Sequence, residues 1–256
     1  MEKEKIIELA DAFMQEAFQA NCYMDLIEQY LRNIKDYSEE LEISGAFYIY
    51  TYNALVVATF MELAKIYDRN RDSISIKQLL ENCKEKKELF SQKQVFKIYG
   101  EERSFPYQHI VAADEEEFFS LEIEKQQPIN ALLGMPDSPI TVNLDADKYF
   151  ELFEWKYGKI EPVIQNLLKQ RNKIYAHNDK KSIGNIEDVI RKFPINRDDI
   201  FRLISFATEF CRFVLALLTG IYHAEKPVNI NDWEATLKLV RLGNMYRDVE
   251  IENKRK

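Results

Sequence analysis

Apolar positions recur every three or four residues along most of this chain, the spacing of one face of an α-helix. Over residues 3–36, Ile6, Ile7, Ala10, Phe13, Met14, Ala17 and Phe18 fall on one stripe, so a long helix with a core-facing side is expected. A second helix is expected from Ser44, a suitable N-cap, to about Tyr67, stopping before the polar run Asp68-Arg69-Asn70-Arg71-Asp72. Ser73 and Ser75 precede a shorter helix over 75–89. The pattern resumes near Asp145 and runs to about Asn178, with a kink or break expected at 158–161 because Pro162 follows Gly158. A short helix over 185–192 comes next, then a long apolar one over 197–224 stopped by Pro227. A last helix, capped by Asn231 or Asp232, is expected to reach about 249.

Residues 91–143 break the pattern. Four of the seven prolines (106, 128, 136, 139) lie there, with Gly100, Gly134 and the acidic run Asp114-Glu115-Glu116-Glu117. An irregular connection is expected, with one short helix around 114–125. Elsewhere glycine and proline are scarce while Leu, Ile, Glu and Lys are abundant, which favours long helices over a turn-rich β fold. The fold class expected is all-α, an antiparallel helical bundle forming a single domain over 1–256 with 91–143 inserted in its middle.

The stretch 43–61 (ISGAFYIYTYNALVVATFM) carries no charge over 19 positions, near the length of a membrane span. Its Ser, Thr, Asn and Tyr side chains favour a core helix buried on most sides instead. Glu209 and Arg212 interrupt the apolar run 203–222 in the same way, so no membrane association is expected. The charged, helical start MEKEKIIELADAF does not read as a signal peptide. Cys22, Cys83 and Cys211 are far apart and form no CxxC or Cys/His ligand cluster, so reduced thiols in a cytoplasmic protein are expected. The net charge of −8 excludes a chain that coats nucleic acid non-specifically.

Chemistry concentrates in Arg171-Asn172-Lys173-Ile174-Tyr175-Ala176-His177-Asn178-Asp179. Ile160, Ile164, Leu167, Arg171, Ile174 and Asn178 share one helical stripe, which sets Arg171 in the middle of an apolar face. An arginine there is costly unless it is paired or opens onto a polar cleft. His177, one of three histidines, lies six residues on and points about 120° away on a straight helix. Convergence of the two side chains needs the helix to end or unwind near Ala176, or needs a second copy related by a two-fold axis. Histidine titrates near neutrality and moves protons, while arginine stays charged and binds phosphate. RNA supplies its own nucleophile in the 2′-hydroxyl, so such a pair can cleave it without metal or cofactor. Seven basic residues (156, 159, 169, 171, 173, 180, 181) face only Glu161 and Asp179 between Lys156 and Lys181, a local excess that suits a phosphate backbone.

Blander readings exist for each residue. Arg171 pairs with a structural carboxylate and His177 ends a helix in many ordinary bundles. His109 reads as a surface-loop residue and His223 as a helix-end cap. Asp145 and Asp147 read as helix N-terminal acids and not as metal ligands. No phosphate loop, GxSxG or HExxH pattern is present.

The nonamer RNKIYAHND resembles the motif of the HEPN superfamily: arginine, a polar residue, a short spacer, then histidine. Ala176-His177 followed by Asp179 resembles the abortive-infection U-type branch. So does the stretch from Tyr52 through Asp68, a long helix ending in Asp, with SISIKQLL after it. The resemblance implies a HEPN-like helical bundle with its active site at a homodimer cleft. It implies a metal-independent endoribonuclease of toxin–antitoxin or phage-defence systems, with RNA, tRNA included, as substrate and an antitoxin protein as partner. Under it Arg171 is the phosphate-stabilising cation and His177 the proton-transfer group. Asn172 and Asp179 support them, and Lys173, Tyr175, Lys180 and Lys181 contact RNA, Tyr175 by stacking. One toxin branch carries a tyrosine two positions after the histidine, which its antitoxin modifies. Here that position is Asp179, which argues against neutralisation by that route. The resemblance also admits a non-catalytic module that binds RNA, a nucleotide or a protein.

Overall fold

The computed structural model describes residues 1–70, 73–91, 94–98, 101–105, 109–112, 140–143, 146–175, 186–224, 230 and 232–255, with backbone alone over the strands and at 255. The fold is all-α, with eight α-helices among the described residues: α1 (Lys3–Asn33), α2 (Ser38–Ile43), α3 (Gly45–Tyr67), α4 (Ile76–Glu85), α5 (Ala146–Gln170), α6 (Ile186–Lys192), α7 (Arg197–Thr219) and α8 (Asp232–Arg255). A 3-10 turn, Lys87–Phe90, follows α4. The chain divides into two compact units, Met1–Phe18 with Leu63–Glu225, and Gln19–Glu62 with Lys226–Lys256.

In the first unit α5 and α7 supply the core. The stripe Phe150, Phe153, Ile160, Ile164 and Leu167 of α5 is buried, as are Leu203, Phe210 and Phe213 of α7. The ring of Phe213 lies 4.9 Å from that of Tyr149 and 5.2 Å from that of Phe153, and it stacks on Phe90 from the 3-10 turn. Tyr67, the last residue of α3, is buried here and donates its hydroxyl to the Leu203 carbonyl at 2.6 Å. Glu209, which interrupts the apolar run of α7, is matched by Lys156 of α5 at 2.8 Å. Arg212 stacks its guanidinium over the Tyr222 ring at 4.9 Å. No described helix is long and apolar enough to cross a membrane.

In the second unit Tyr37, Leu41, Tyr48 and Leu237 form a small core with Tyr30 and Trp233 packed against it. Arg241 of α8 donates to both carboxylate oxygens of Glu40, which holds that carboxyl below its ordinary range. Its guanidinium also sits over the Tyr37 ring, 4.2 Å from the centroid.

Several boundaries follow local chemistry that the apolar pattern alone does not encode. Ser75 forms a capping box with Gln78, and Asn196 forms one with Asp199, so α4 and α7 start where two orphan backbone donors are satisfied at once. Helix α7 ends at Thr219, five residues before the expected end, because Gly220 takes a left-handed φ of 72° and caps it. His223 therefore lies beyond the helix and does not cap it. The expected break before Pro162 is absent: α5 runs unbroken through it. The carbonyl that proline leaves without a donor belongs to Gly158, an exposed residue with open space around it.

Two further expectations meet a different outcome. The front half of α3 is not buried on most sides. Phe47 is 64% and Tyr50 74% exposed, and Ile49 and Val57 also face outward, while Tyr48, Thr59 and Phe60 are covered. An apolar run prefers cover, but only the faces that meet another element receive it. The segment 91–143 holds four short strands, β1 (Gln94–Ile98), β2 (Glu101–Phe105), β3 (His109–Ala112) and β4 (Ile140–Asn143). β1 pairs antiparallel with β2 and β3 with β4, Gln94 standing opposite Phe105 and His109 opposite Asn143. Alternating β-branched and aromatic residues such as QVFKI and ITVN suit that state. His109 thus opens a strand. The helix expected at 114–125 and Asp145 lie outside the described residues.

Candidate functional site around Arg171

The apolar stripe of α5 delivers Arg171 to the end of the helix. Ile160, Ile164 and Leu167 are buried in turn, and Arg171 is the next position along the same face. Two amides fasten this end. Gln170, itself buried, donates to the Phe193 carbonyl at 2.6 Å, and Asn166 donates to the Pro194 carbonyl at 2.9 Å.

The backbone changes character at that point. α-Helical bonding stops at Gln170, and Arg171–Tyr175 form a π-helical turn. The wider turn changes the angular step between successive side chains, so the 120° estimate for a straight α-helix does not apply past Gln170. Ala176, near which convergence with His177 within one chain would need the helix to end or unwind, lies outside the described residues, and the departure from α-helical bonding seen here starts at Arg171.

Arg171 does not stand alone. Its Nη2 donates to Oδ1 of Asp68, just past the end of α3, at 3.1 Å, with the two side chains only 16% and 18% exposed. Asp68 is fixed in turn by Asn70, whose backbone N–H and side-chain amide donate to its two carboxylate oxygens at 3.2 and 3.0 Å. The neighbouring Arg69 reaches back along α5, to Glu161 at 2.8 Å and to the Tyr157 hydroxyl at 3.4 Å. Thus the end of α3 is tied to α5 at two levels. Asp68 was not singled out as a site residue from the sequence. Its visible sign was its place as the first charged residue after a long apolar helix.

The guanidinium is not fully satisfied. Nε of Arg171 is buried and has no hydrogen-bond partner among the described residues. A buried donor on a cation is expensive to leave unmade. It is a standing demand for an acceptor at this spot.

Of the other expected site residues, Asn172 is exposed, while Lys173 and Tyr175 are partly covered. Burial pushes the Tyr175 phenol above its ordinary range. Partial cover narrows the ring face open to a stacking base. His177, Asp179, Lys180 and Lys181 lie outside the described residues. The local basic excess is smaller in three dimensions than along the chain. Lys156 is matched by Glu209 and Arg171 by Asp68, although Glu161 is in turn drawn to Arg69. Lys159 rests over the Trp155 ring at 4.8 Å. Among the described residues no group of three His, Cys, Asp or Glu side chains could hold a metal ion.

No curated protein and no solved structure matches the chain. The model of the HEPN family AbiU2 does, over residues 3–127 and 147–236. The matched stretch takes in Asp68, Arg171 and the nine residues that carry the arginine–histidine motif, and it spans most of the sequence. The chain therefore belongs to the AbiU2 family, the abortive-infection U-type branch of the HEPN superfamily.

Proposed function

We propose that this protein is a metal-independent endoribonuclease of an abortive-infection or toxin–antitoxin system, acting through Arg171 and His177 at a homodimer cleft. The observation that carries the reading is the state of Arg171: held in place by Asp68, with a buried Nε that has no acceptor among the described residues. A phosphate oxygen is the acceptor that a guanidinium of this kind takes best.

The 2′-hydroxyl of the substrate attacks the adjacent phosphorus, its proton passes to His177, and the bond to the 5′-oxygen breaks as that oxygen takes a proton from water. The products are a 2′,3′-cyclic phosphate and a 5′-hydroxyl. Arg171 binds the non-bridging oxygens, whose charge grows in the transition state. Asp68 acts through Arg171, fixing the direction in which the guanidinium points, and is a positioning residue. Asn172 and Asp179 orient the pair, while Lys173, Lys180, Lys181 and Tyr175 hold the strand on either side. A protein antitoxin would keep the cleft closed until infection.

A second reading is favoured by one specific feature. Asp68 already neutralises much of Arg171, which suits a module that binds RNA, a nucleotide or a protein without cutting. Incubating wild type, Arg171→Ala and His177→Ala with total RNA and with tRNA in excess chelator separates the two. Cleavage by wild type alone, with cyclic phosphate or 3′-phosphate ends, is the expected result. RNA binding without cleavage by any of the three moves the assignment to the binding module. Cleavage that survives both substitutions rejects this pair as the catalytic site.

A further inference from the structure

Two side chains of α5 reach across to the turn that follows α6, and neither has a place in the steps proposed above. Asn166 and Gln170 stand four residues apart, so they share one face of α5, beside the stripe that ends in Arg171. Gln170 is 3% exposed and donates to the Phe193 carbonyl at 2.6 Å, and Asn166 donates to the next carbonyl, that of Pro194, at 2.9 Å. A buried amide is costly unless its hydrogen bonds are made, so Gln170 favours one position of the Phe193 backbone. Phe193 in turn closes α6, its N–H donating to the Val189 carbonyl at 2.9 Å. Apolar packing gives α6 little hold. The helix is seven residues long, Val189 is its one buried residue, and Ile186 and Ile190 are 50% and 45% exposed. A helix that short is not stable by itself. Yet α6 packs against the π-helical turn Arg171–Tyr175. The contacts close a ring: α5 holds residues 193–194, these hold α6, and α6 lies on the turn that extends α5.

We infer that Gln170, with Asn166, is a positioning residue that keeps residues 171–175 in the π-helical register. The α-helix is the ordinary state of a helical chain, and a single π turn inside or at the end of one needs its surroundings to hold it. Asp68 holds the Arg171 side chain, but that bond does not fix the backbone after it. The backbone is held where α6 rests on the turn, and α6 is held by the two amides. Without them α5 continues as an α-helix past Gln170. Each step from Arg171 to Tyr175 then rotates by the α-helical angle, so the displacement grows along the turn. Arg171, first in the turn and tied to Asp68, moves least. Lys173 and Tyr175 move more, and His177, two positions on in the sequence, follows from a displaced Tyr175. The two amides therefore set the relation between the two halves of the arginine–histidine pair. The consequence for His177 rests on the ribonuclease reading, whereas the hold on the turn does not.

The test uses Gln170→Met, which keeps the length and burial of the side chain but has no donor, and Asn166→Ala at a partly covered position. Crystal structures of the full chain and of both variants read the turn. Wild type is expected to keep the π turn, and Gln170→Met to run as α-helix through Tyr175 with the Arg171–Asp68 bond intact. Cleavage of tRNA is measured where urea unfolding shows every sample to be folded. Gln170→Met is expected to lower kcat ~100-fold with KM little changed, the mark of a misplaced reacting group and not of lost binding. Asn166→Ala is expected to show the same pattern with a smaller loss. A Gln170→Met structure that retains the π turn overturns the proposal. So does a turn that changes while kcat holds, or a fall in kcat matched by an equal rise in KM. Should Gln170→Met not fold, Asn166→Ala decides, and an unchanged turn with unchanged kcat overturns the role of the clamp. If wild type cuts no RNA, the ribonuclease reading fails, and the crystal structures still decide whether the two amides hold the turn.

Discussion

Asp68 and Arg171 stand 103 positions apart in the chain and meet at 3.1 Å, one just past the end of α3 and the other at the first residue of a π-helical turn. The pair closes the first unit where α3 and α5 finish. It also fixes a cation whose remaining buried donor faces no described acceptor. Asp68 holds the arginine on one side, and on the other Nε has no acceptor among the described residues, the state on which the proposed phosphate-binding role rests.

Removing the carboxylate should therefore affect both stability and function. Asp68→Ala leaves Arg171 uncompensated in a partly covered site, and a loss of about 1–2 kcal/mol is expected, less than for a fully buried pair because some water still reaches it. RNA cleavage is expected to fall ~100-fold through misplacement of the guanidinium. Asp68→Asn keeps an acceptor oxygen for Nη2 and should retain more activity than Asp68→Ala. Urea unfolding and tRNA cleavage on the same samples check this. If stability drops while cleavage holds, Asp68 is a strut and nothing more.

Most helices were legible because apolar spacing reports directly on which side of a helix is covered. On α1, Ile6, Ala10, Phe13, Met14 and Ala17 of the stripe are buried while Ile7 and Phe18 at its edges are half-buried, and on α5 Ile160, Ile164 and Leu167 are buried. Arg171 was legible as an anomaly on such a stripe, and the need for a partner followed. Which partner was not legible, because Asp68 arrives from a distant helix and pairing across a fold leaves no periodic trace. The exposed Phe47 and Tyr50 show the opposite limit, since apolar character states a preference for cover and not that cover exists. The end of α7 was misjudged because Gly220, not Pro227, stops it. A left-handed glycine acts at once, whereas a proline acts only where the helix would still be running.

Phe213 packs at a junction of aromatic rings in the first unit. It is 1% exposed and meets the rings of Phe90, Tyr149, Phe150 and Phe153. Phe213→Ala is expected to cost about 3–5 kcal/mol, and Phe213→Leu distinctly less because it leaves a smaller void. Urea unfolding followed by circular dichroism measures both.

At Gly220 the backbone itself sets the constraint. With φ at 72°, a Cβ meets the following carbonyl, and Gly220→Ala is expected to destabilise by about 1 kcal/mol. Gly220→Asn should cost less, since asparagine tolerates this conformation. Thermal melting of the three proteins should rank them Gly, Asn, Ala.

Alkaline pH should weaken this fold sooner than it weakens most helical proteins. Cys83 and Cys211 are fully buried, and burial pushes both thiols above their ordinary value of 9.0. Burial likewise pushes the Tyr67 phenol well above its ordinary 10.0. In the unfolded chain the thiols ionise near pH ~8.5 and the phenol near ~10, while in the folded chain all three keep their protons. The native state then binds more protons, so stability falls as pH rises. This contribution is intact below pH ~8.5. Above it each thiol removes about 1.4 kcal/mol per pH unit, and Tyr67 adds to the slope above ~10. Cys83→Ala/Cys211→Ala should flatten the profile between those two values, at the cost of two small cavities. The urea midpoint followed from pH 7 to pH 10.5 is the measurement. A wild-type profile that stays flat through pH ~9.5 would mean that water reaches these thiols in the folded protein. Iodoacetamide would then label them without denaturant, whereas the burial seen here predicts that only Cys22, partly exposed, reacts.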